Sequence, residues 1–185
     1  RTFEALTELI RETADDIQYL ESISNALDIA LSEADLAQIK EELMLSGYIR
    51  RKHTKKKVKL TSKPMHYISS DGYDMYVGKN NLQNEELTFS FANGNDWWFH
   101  AKGAPGSHVI VKSGGDELPD QTFEEAGRLA AYYSKNRGAD KVEIDYIQKK
   151  HVKKPNGAKP GFVVYYTNYS LVIDSDISNI KNVQD

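Results

Sequence analysis

Four polar side chains flank a predicted tight loop near the middle of the chain. His100 and Lys102 precede the loop Gly103–Gly106, and Ser107 and His108 follow it. Gly and Pro between two β-prone runs predict a hairpin or a bent pair of strands. Two imidazoles, an ammonium and a hydroxyl are thereby placed beside exposed backbone N–H groups. No Asp or Glu occurs between positions 96 and 116 to offset their charge. This set of groups favours the binding of an anion.

A metal site or a catalytic centre would use the same residues, and the sequence disfavours both. His100 and His108, with Asp96 nearby, lack a clear third metal ligand, and the chain has no HExxH motif and no Cys. Ser107 and His108 are adjacent, so they point to opposite faces of a strand, and the G-x-S-x-G motif is absent. The glycine patterns of nucleotide-binding loops are also absent. We therefore expect no metal, no cofactor and no enzymatic reaction.

A second group of positive side chains lies in a loop of the C-terminal third. No acidic residue occurs between positions 146 and 173. Lysine-rich loops contact nucleic-acid phosphates as point charges, because each contact releases condensed counterions. We expect this loop and the central hairpin to converge on one cationic face. The loop carries five lysines that we predict to contact RNA: Lys149, Lys150, Lys153, Lys154 and Lys159.

Reading of bases would require aromatic side chains that stack on them. Trp97, Trp98 and Phe99 are candidates, but alternation along a strand sends Trp98 to the face opposite its two neighbours. We therefore expect one or two of these rings to pack in the core.

Residues 50–66 form a third positive segment. They contain eight Lys or Arg residues, and no Asp or Glu occurs between positions 42 and 71. Such a run is typical of a solvated linker, and it is equally able to contact phosphates without reading sequence. Both interpretations stay open.

Three motifs, in this order, resemble those of the NFACT-R domain, the C-terminal RNA-associated domain of the NFACT family. They are G-K-N-N-L-Q-N-E-E-L-T at 78–88, D-W-W-F-H-A-K-G-A-P-G-S-H-V-I-V at 96–111 and K-K-P-N-G-A-K-P-G at 153–161. The resemblance covers residues 65–175 and therefore most of the chain after the basic run. The side chains at the motif positions are Asn80, Asn81, His100, Lys102, Ser107, His108, Lys153, Lys154 and Lys159.

The resemblance implies a function in RNA binding. Full-length NFACT proteins act in ribosome-associated quality control, where they bind a large subunit blocked by peptidyl-tRNA and recruit charged tRNA. In bacteria the result is an untemplated alanine tail on the stalled chain. The implied partners are ribosomal RNA and tRNA, and the implied location is the cytoplasm. The bacterial family name, fibronectin/fibrinogen-binding protein, implies a cell-surface adhesin instead and leaves that alternative open.

The sequence around these residues predicts the helices and strands of an α+β domain. A helix capped by Asn80 or Asn81 is expected through Phe91, and a second is expected from Thr122. Strands mixed with two helices and short connections favour a mixed, largely antiparallel sheet with both helices on one face. Alternation and turn signals predict strands near 67–69, 73–77, 96–101, 107–113, 142–147, 162–166 and 169–173.

Residues 1–49 have a different pattern and predict two helices. Ser32 followed by Asp35 predicts the start of the second helix, and Ser46 with Gly47 predicts its end. The first helix carries a heptad-like stripe. Packing against the second helix is one interpretation of this stripe, whereas the resemblance implies the returning arm of a coiled coil whose partner arm is missing from this chain. The stripe comprises Phe3, Leu6, Ile10, Ile17, Leu20, Leu27 and Leu31.

Composition sets outer limits on the class of protein. The 185 residues are 39% hydrophobic and 28% charged, with a net charge of −3, and residues 1–42 hold 11 acidic but only 3 basic side chains. No apolar run approaches the ~20 residues needed to cross a bilayer, so we expect no membrane insertion. The absence of Cys excludes disulfides and thiolate metal sites.

The segments together predict four parts. We expect the end of a coiled coil or helical hairpin at 1–49, a basic linker at 50–66, the α+β domain at 67–174 and a polar, weakly ordered tail at 175–185. Because the chain begins without Met and inside a predicted helix, we expect a C-terminal fragment of a longer protein.

Overall fold

A computed structural model describes residues 2–50 and 61–183. A helical hairpin precedes an antiparallel sheet of seven strands in the order β6-β5-β3-β4-β2-β1-β7. The predicted α+β class with a largely antiparallel sheet is confirmed. The helices are α1 (Thr2–Ile29), α2 (Glu33–Leu45), α3 (Asn81–Glu86) with a π-helical continuation (Leu87–Phe91), and α4 (Asp120–Tyr132). The strands are β1 (Met65–Ile68), β2 (Asp74–Val77), β3 (Trp97–Ala101), β4 (Val109–Val111), β5 (Val142–Gln148), β6 (Tyr169–Ile173) and β7 (Lys181–Asn182).

Both faces of the sheet are apolar, and each face has its own helical cover. On one face Phe99 packs with Leu129 of α4 in the main core. On the other face Trp98 and Ile110 pack with Leu87 of the π-helical continuation. The alternation predicted for Trp98 is therefore confirmed, whereas the placement of both helices on one face is wrong. A strand with apolar side chains on both faces needs cover on both sides.

Three local predictions are also wrong. Residues 162–166 form no strand, since Val164 makes only an isolated bridge to Lys153 and the segment lies over the Trp98 cluster instead. Helix α4 begins at Asp120, and buried Thr122 bonds the Ser69 and Asp71 side chains rather than capping it. The tail predicted to be weakly ordered contributes β7, which pairs with β1.

The helical hairpin packs through residues other than the predicted stripe. Ser32 caps α2 by accepting a hydrogen bond from the Asp35 backbone, as predicted. Helix α2 then covers Tyr19, Ile23 and Ala26 of α1 through Ile39. All seven stripe residues are between 44% and 81% exposed. The interpretation that the stripe packs on α2 is therefore wrong. Its interpretation as part of a coiled coil stays a prediction.

A buried carboxyl group joins the hairpin to the sheet domain. Glu42 of α2 is fully buried, and its Oε1 accepts hydrogen bonds from Tyr19 Oη at 2.9 Å and from Asn81 Nδ2 at 2.8 Å. Its Oε2 has no partner among the described residues. Burial raises the pKa of Glu42, and the Asn81 and Tyr19 hydrogen bonds oppose that rise only in part.

We expect Glu42→Gln to raise the free energy of unfolding at pH 7. A carboxyl whose pKa is higher in the folded state destabilises the fold at every pH above its unfolded value. The amide removes that penalty, so its advantage should shrink as the pH falls through the raised pKa of the folded carboxyl and should be lost near the ordinary value of 4.5. Urea denaturation from pH 4 to pH 8 measures the difference. Glu41→Gln, at the exposed neighbouring position, should show no such dependence, and equal pH profiles for both variants would contradict the prediction.

Candidate nucleic-acid interface

A cavity of about 230 Å³ lies beneath the β3–β4 loop, between α1, α3 and residues 161–165. Trp98 and His100 of β3 and His108 form one wall, and Tyr165 faces them from the covering segment. The loop can approach this wall because Gly103 adopts a φ of 63°, which a side chain would disfavour. The predicted hairpin therefore brings both histidines into one site.

The four rings of this site are packed against one another. Trp98 stacks on His100 with ring centroids 5.7 Å apart and planes 18° apart. His108 meets His100 edge-on at 5.5 Å, and Tyr165 lies 5.2 Å from Trp98. The Tyr165 hydroxyl donates to Asp145, which is the cross-strand partner of His100. These contacts fix the orientation of the aromatic wall.

Hydrogen bonds hold His108 in place. Its Nδ1 lies 2.8 Å from Thr88 Oγ1, and its backbone N–H donates to Asn84 Oδ1 at 3.0 Å. Asn84 reaches this position because Gly78 leaves room, since a Cβ on Gly78 would lie 2.2 Å from Asn84 Oδ1. Neither Thr88 nor Asn84 was predicted as a site residue, because their contacts depend on where α3 lies against the sheet.

Both imidazoles are neutral at pH 7. Burial lowers the pKa of His100 to about 4, although the Gly106 backbone and Asp145 act in the opposite direction. Burial, and then the neighbouring His100, lowers the pKa of His108 well below its usual value. The expectation that these imidazoles add positive charge to an anion site is therefore wrong, and the cavity is a neutral site with hydrogen-bonding groups.

Three other predicted site residues are buried, and two of them have structural roles. Asn80 caps α3 by accepting from the Gln83 backbone at 3.0 Å, and Asn81 bonds Glu42. Ser107 is 1% exposed, and its Oγ has no partner among the described residues. Asn81 lines the cavity through α3, whereas Asn80 and Ser107 line a separate, smaller one. Direct RNA contact by Asn80 or Ser107 would require these buried groups to become exposed.

Three of the predicted lysines are paired with carboxylates that lie far away in the sequence. Lys102 bonds Glu143 at 2.6 Å, Lys154 bonds Glu85 and Lys159 bonds Asp16 of α1. Each pair reduces the positive charge that these side chains present to solvent. Asp16 and Lys159 also link the helical hairpin to the C-terminal loop.

The remaining lysines lie together at the far end of β5. Lys149, Lys150 and Lys153 occupy the turn after this strand, and no described carboxylate is within ion-pair distance of any of them. The backbone of Lys149 bonds Asp96 at the start of β3, whereas Lys102 follows the end of that strand. The expected convergence of all lysines and histidines on one cationic face is therefore wrong.

Three further points concern a metal site, a membrane-spanning helix and the basic run. Within residues 2–50 and 61–183, no three His, Asp or Glu side chains lie close enough together to ligate one metal ion. No described helix combines the length and the apolar character needed to cross a bilayer. Most of the basic run, residues 51–60, lies outside the described part of the chain.

Two family models match consecutive parts of the chain. NFACT N-terminal and middle domains match residues 1–62, and the NFACT protein RNA binding domain matches residues 63–167. This chain belongs to the NFACT family. The resemblance carried by the three sequence motifs is thereby confirmed.

Individual NFACT relatives are similar along almost the whole chain. Two proteins called Rqc2 homolog RqcH are 44% identical over 180 residues, in Streptococcus pneumoniae, and 40% identical over 178 residues, in Bacillus subtilis. These alignments cover 97% and 94% of this chain but only 32% and 30% of the relatives. A solved structure of the C-terminal part of the fibronectin/fibrinogen-binding protein from Streptococcus suis is 42% identical, with a TM-score of 0.88, and covers 96% of this chain and 72% of that one.

Proposed function

We propose that this chain is the RNA-binding module of a ribosome-associated quality control factor. In this proposal the module holds ribosomal RNA or tRNA without making or breaking a bond. The whole factor recruits charged tRNA to stalled large subunits in the cytoplasm for untemplated alanine tailing. The match to the NFACT RNA binding domain over residues 63–167 supports the proposal most directly. The relatives called Rqc2 homolog RqcH support the connection with ribosome quality control.

The lysine turn at 149–153 is the structural feature that best suits phosphate contact. Lys150 and Lys153 are exposed, and Lys149 is half-buried with its ammonium 5.9 Å from the Phe89 ring centroid. Backbone hydrogen bonds from Lys149 to Asp96 and from Lys150 to Gly94 fix the turn. Three ammonium groups on a fixed backbone can meet phosphates without first breaking an ion pair. Lys102, Lys154 and Lys159 would have to lose a carboxylate partner, so we assign them a smaller contribution.

Salt dependence tests this function on the unaltered chain. Three phosphate contacts predict that the logarithm of the association constant falls with the logarithm of salt concentration with a slope of roughly −2 to −3. Filter binding of tRNA and of large-subunit RNA fragments between 50 and 400 mM salt measures this slope. A flat profile, or the absence of binding to either RNA at low salt, would refute the proposal.

The adhesin remains a second candidate because of one observation, the name of the similar Streptococcus suis structure. The two functions differ in ligand and in location. We expect the chain to bind RNA and to show no saturable binding to immobilised fibronectin or fibrinogen in the same buffer. Saturable binding to either protein that excess RNA does not displace, together with surface location in cell fractionation, would favour the adhesin.

A further inference from the structure

We propose that the cavity beneath the β3–β4 loop takes one unpaired nucleobase of the RNA that this module binds. The inference deepens the proposed function and rests on it. Proteins that recognise single-stranded RNA insert unstacked bases between aromatic side chains and bond their polar edges. The cavity offers both kinds of contact.

The aromatic wall supplies a surface for stacking. His100 is half-buried and already stacks on Trp98 through one face of its ring. A base on the cavity side of His100 would extend this stack, and Tyr165, which packs against Trp98, lines the same cavity. Since stacking on aromatic rings accepts any base, this contact provides affinity with little preference for sequence.

The polar groups of the cavity suit the edge of a base. The amides of Gln18 in α1 and of Asn81 and Asn84 in α3 line it. Asn81 Nδ2 already donates to Ser22 and Glu42, and Asn84 Oδ1 already accepts from the His108 backbone. The Gln18 amide and Asn81 Oδ1, which have no partner among the described residues, are therefore the amide groups best placed to bond a base.

His108 already bonds Thr88 through Nδ1, and the Gly106 backbone hydrogen-bonds His100, so each imidazole has at most one ring nitrogen left for a base. The indole Nε1 of fully buried Trp98 has no hydrogen-bond partner among the described residues. A buried donor without a partner is unfavourable, and because this nitrogen has no accessible surface, an acceptor on a bound base would reach it only if the neighbouring rings shift.

Size and charge favour a base over a phosphate or a whole nucleotide. The volume of about 230 Å³ is below the ~300 Å³ at which pockets for drug-sized ligands begin, so one ring system fits better than a nucleotide chain. Burial keeps both imidazoles neutral at pH 7. Without positive charge on these imidazoles, a phosphate would be poorly compensated for its lost hydration.

The cavity and the lysine turn are connected through one short bridge. Lys153 pairs with Val164 by two backbone hydrogen bonds of 2.9 Å. The residues on either side of Val164, which are Val163 and Tyr165, line the cavity. Because paired residues share a face, the Lys153 side chain lies with exposed Val164 on the outer side of this segment, whereas Val163 and Tyr165 face the cavity. An RNA strand that contacts Lys153 and enters the cavity would therefore cross this covering segment.

Abasic RNA separates this inference from the proposed function. We would compare the full chain binding to fluorescently labelled octamers of A, C, G or U with its binding to an abasic octamer of the same phosphate count. Stacking predicts that at least one base-containing octamer binds roughly 5–150-fold more tightly than the abasic one. His100→Ala should remove this difference and leave the salt slope unchanged. His66→Ala, at a histidine on β1 outside the cavity, is the matched control and should retain the difference.

A second variant tests the base site without changing His100. Gln18 is an exposed residue of α1 at the cavity, so Gln18→Trp should fill the cavity entrance without altering the core, and Gln18→Ala serves as its control. Loss of the base-dependent difference in Gln18→Trp alone supports the inference. Equal, salt-dependent binding of abasic and base-containing octamers overturns the base site but leaves the proposed function intact. Absence of salt-dependent binding to every octamer overturns both.

Discussion

Replacing Trp98 with alanine is expected to lower the free energy of unfolding by about 3–5 kcal/mol. Trp98 is fully buried and packs with Leu87, Ile110 and Ile147 in the smaller of the two sheet-face cores. Alanine leaves a cavity that the surrounding strands cannot close, because β3 is held by β4 on one side and β5 on the other. For a chain of this size the loss corresponds to a fall in Tm of roughly 6–20 °C. Thermal unfolding followed by circular dichroism measures it.

Trp97→Ala is the matched control, because it removes the same side chain from the adjacent position. Trp97 is only partly buried and lies on the opposite face, against Phe123 and Tyr146. We expect less than half of the loss seen for Trp98→Ala, since much of its ring is already in contact with water. Equal losses of stability for the two variants would contradict the difference in burial between Trp97 and Trp98.

The tryptophan pair shows how far local pattern determines this fold. Alternation along a strand is a property of the backbone, so the opposite placement of Trp97 and Trp98 follows from sequence alone. The strand near 142–147 and the capping of α2 by Ser32 follow from equally local rules. The side on which a helix lies depends on how much apolar surface each face presents, and this requires the strand order. That order joins β5 to β3 across more than forty residues.

The candidate site was less predictable because charge depends on distant residues. The partner of Lys159 is Asp16, which is 143 residues away, and the partner of Lys154 is Glu85, 69 residues away. A lysine-rich loop without acidic residues therefore gives no indication that two of its members are neutralised by other parts of the chain. The neutrality of His100 has a similar origin, because the cavity that it lines is completed by α1 and residues 161–165, which are far from it in the sequence.

Changing Lys149, Lys150 and Lys153 together to glutamine is expected to weaken RNA binding about 100-fold at 0.1 M salt. Each lost phosphate contact on a single strand reduces the salt slope by about 0.7, so three contacts reduce it by about 2. These lysines have no described carboxylate partner, and their exposed turn is held by its own backbone. Stability should therefore change little. Filter binding of a single-stranded RNA between 50 and 400 mM salt measures both the affinity and the slope.

The decisive comparison is the same substitution at Lys102, Lys154 and Lys159. This variant also lowers the net charge by three, so long-range attraction of RNA changes equally in the two proteins. Its lysines are already bound to Glu143, Glu85 and Asp16, and a lysine that must release a carboxylate gains less from a phosphate. We expect at most a tenth of the loss in affinity seen for the unpaired set. Equal losses would mean that binding follows net charge alone, and the lysine turn at 149–153 would then have no special role.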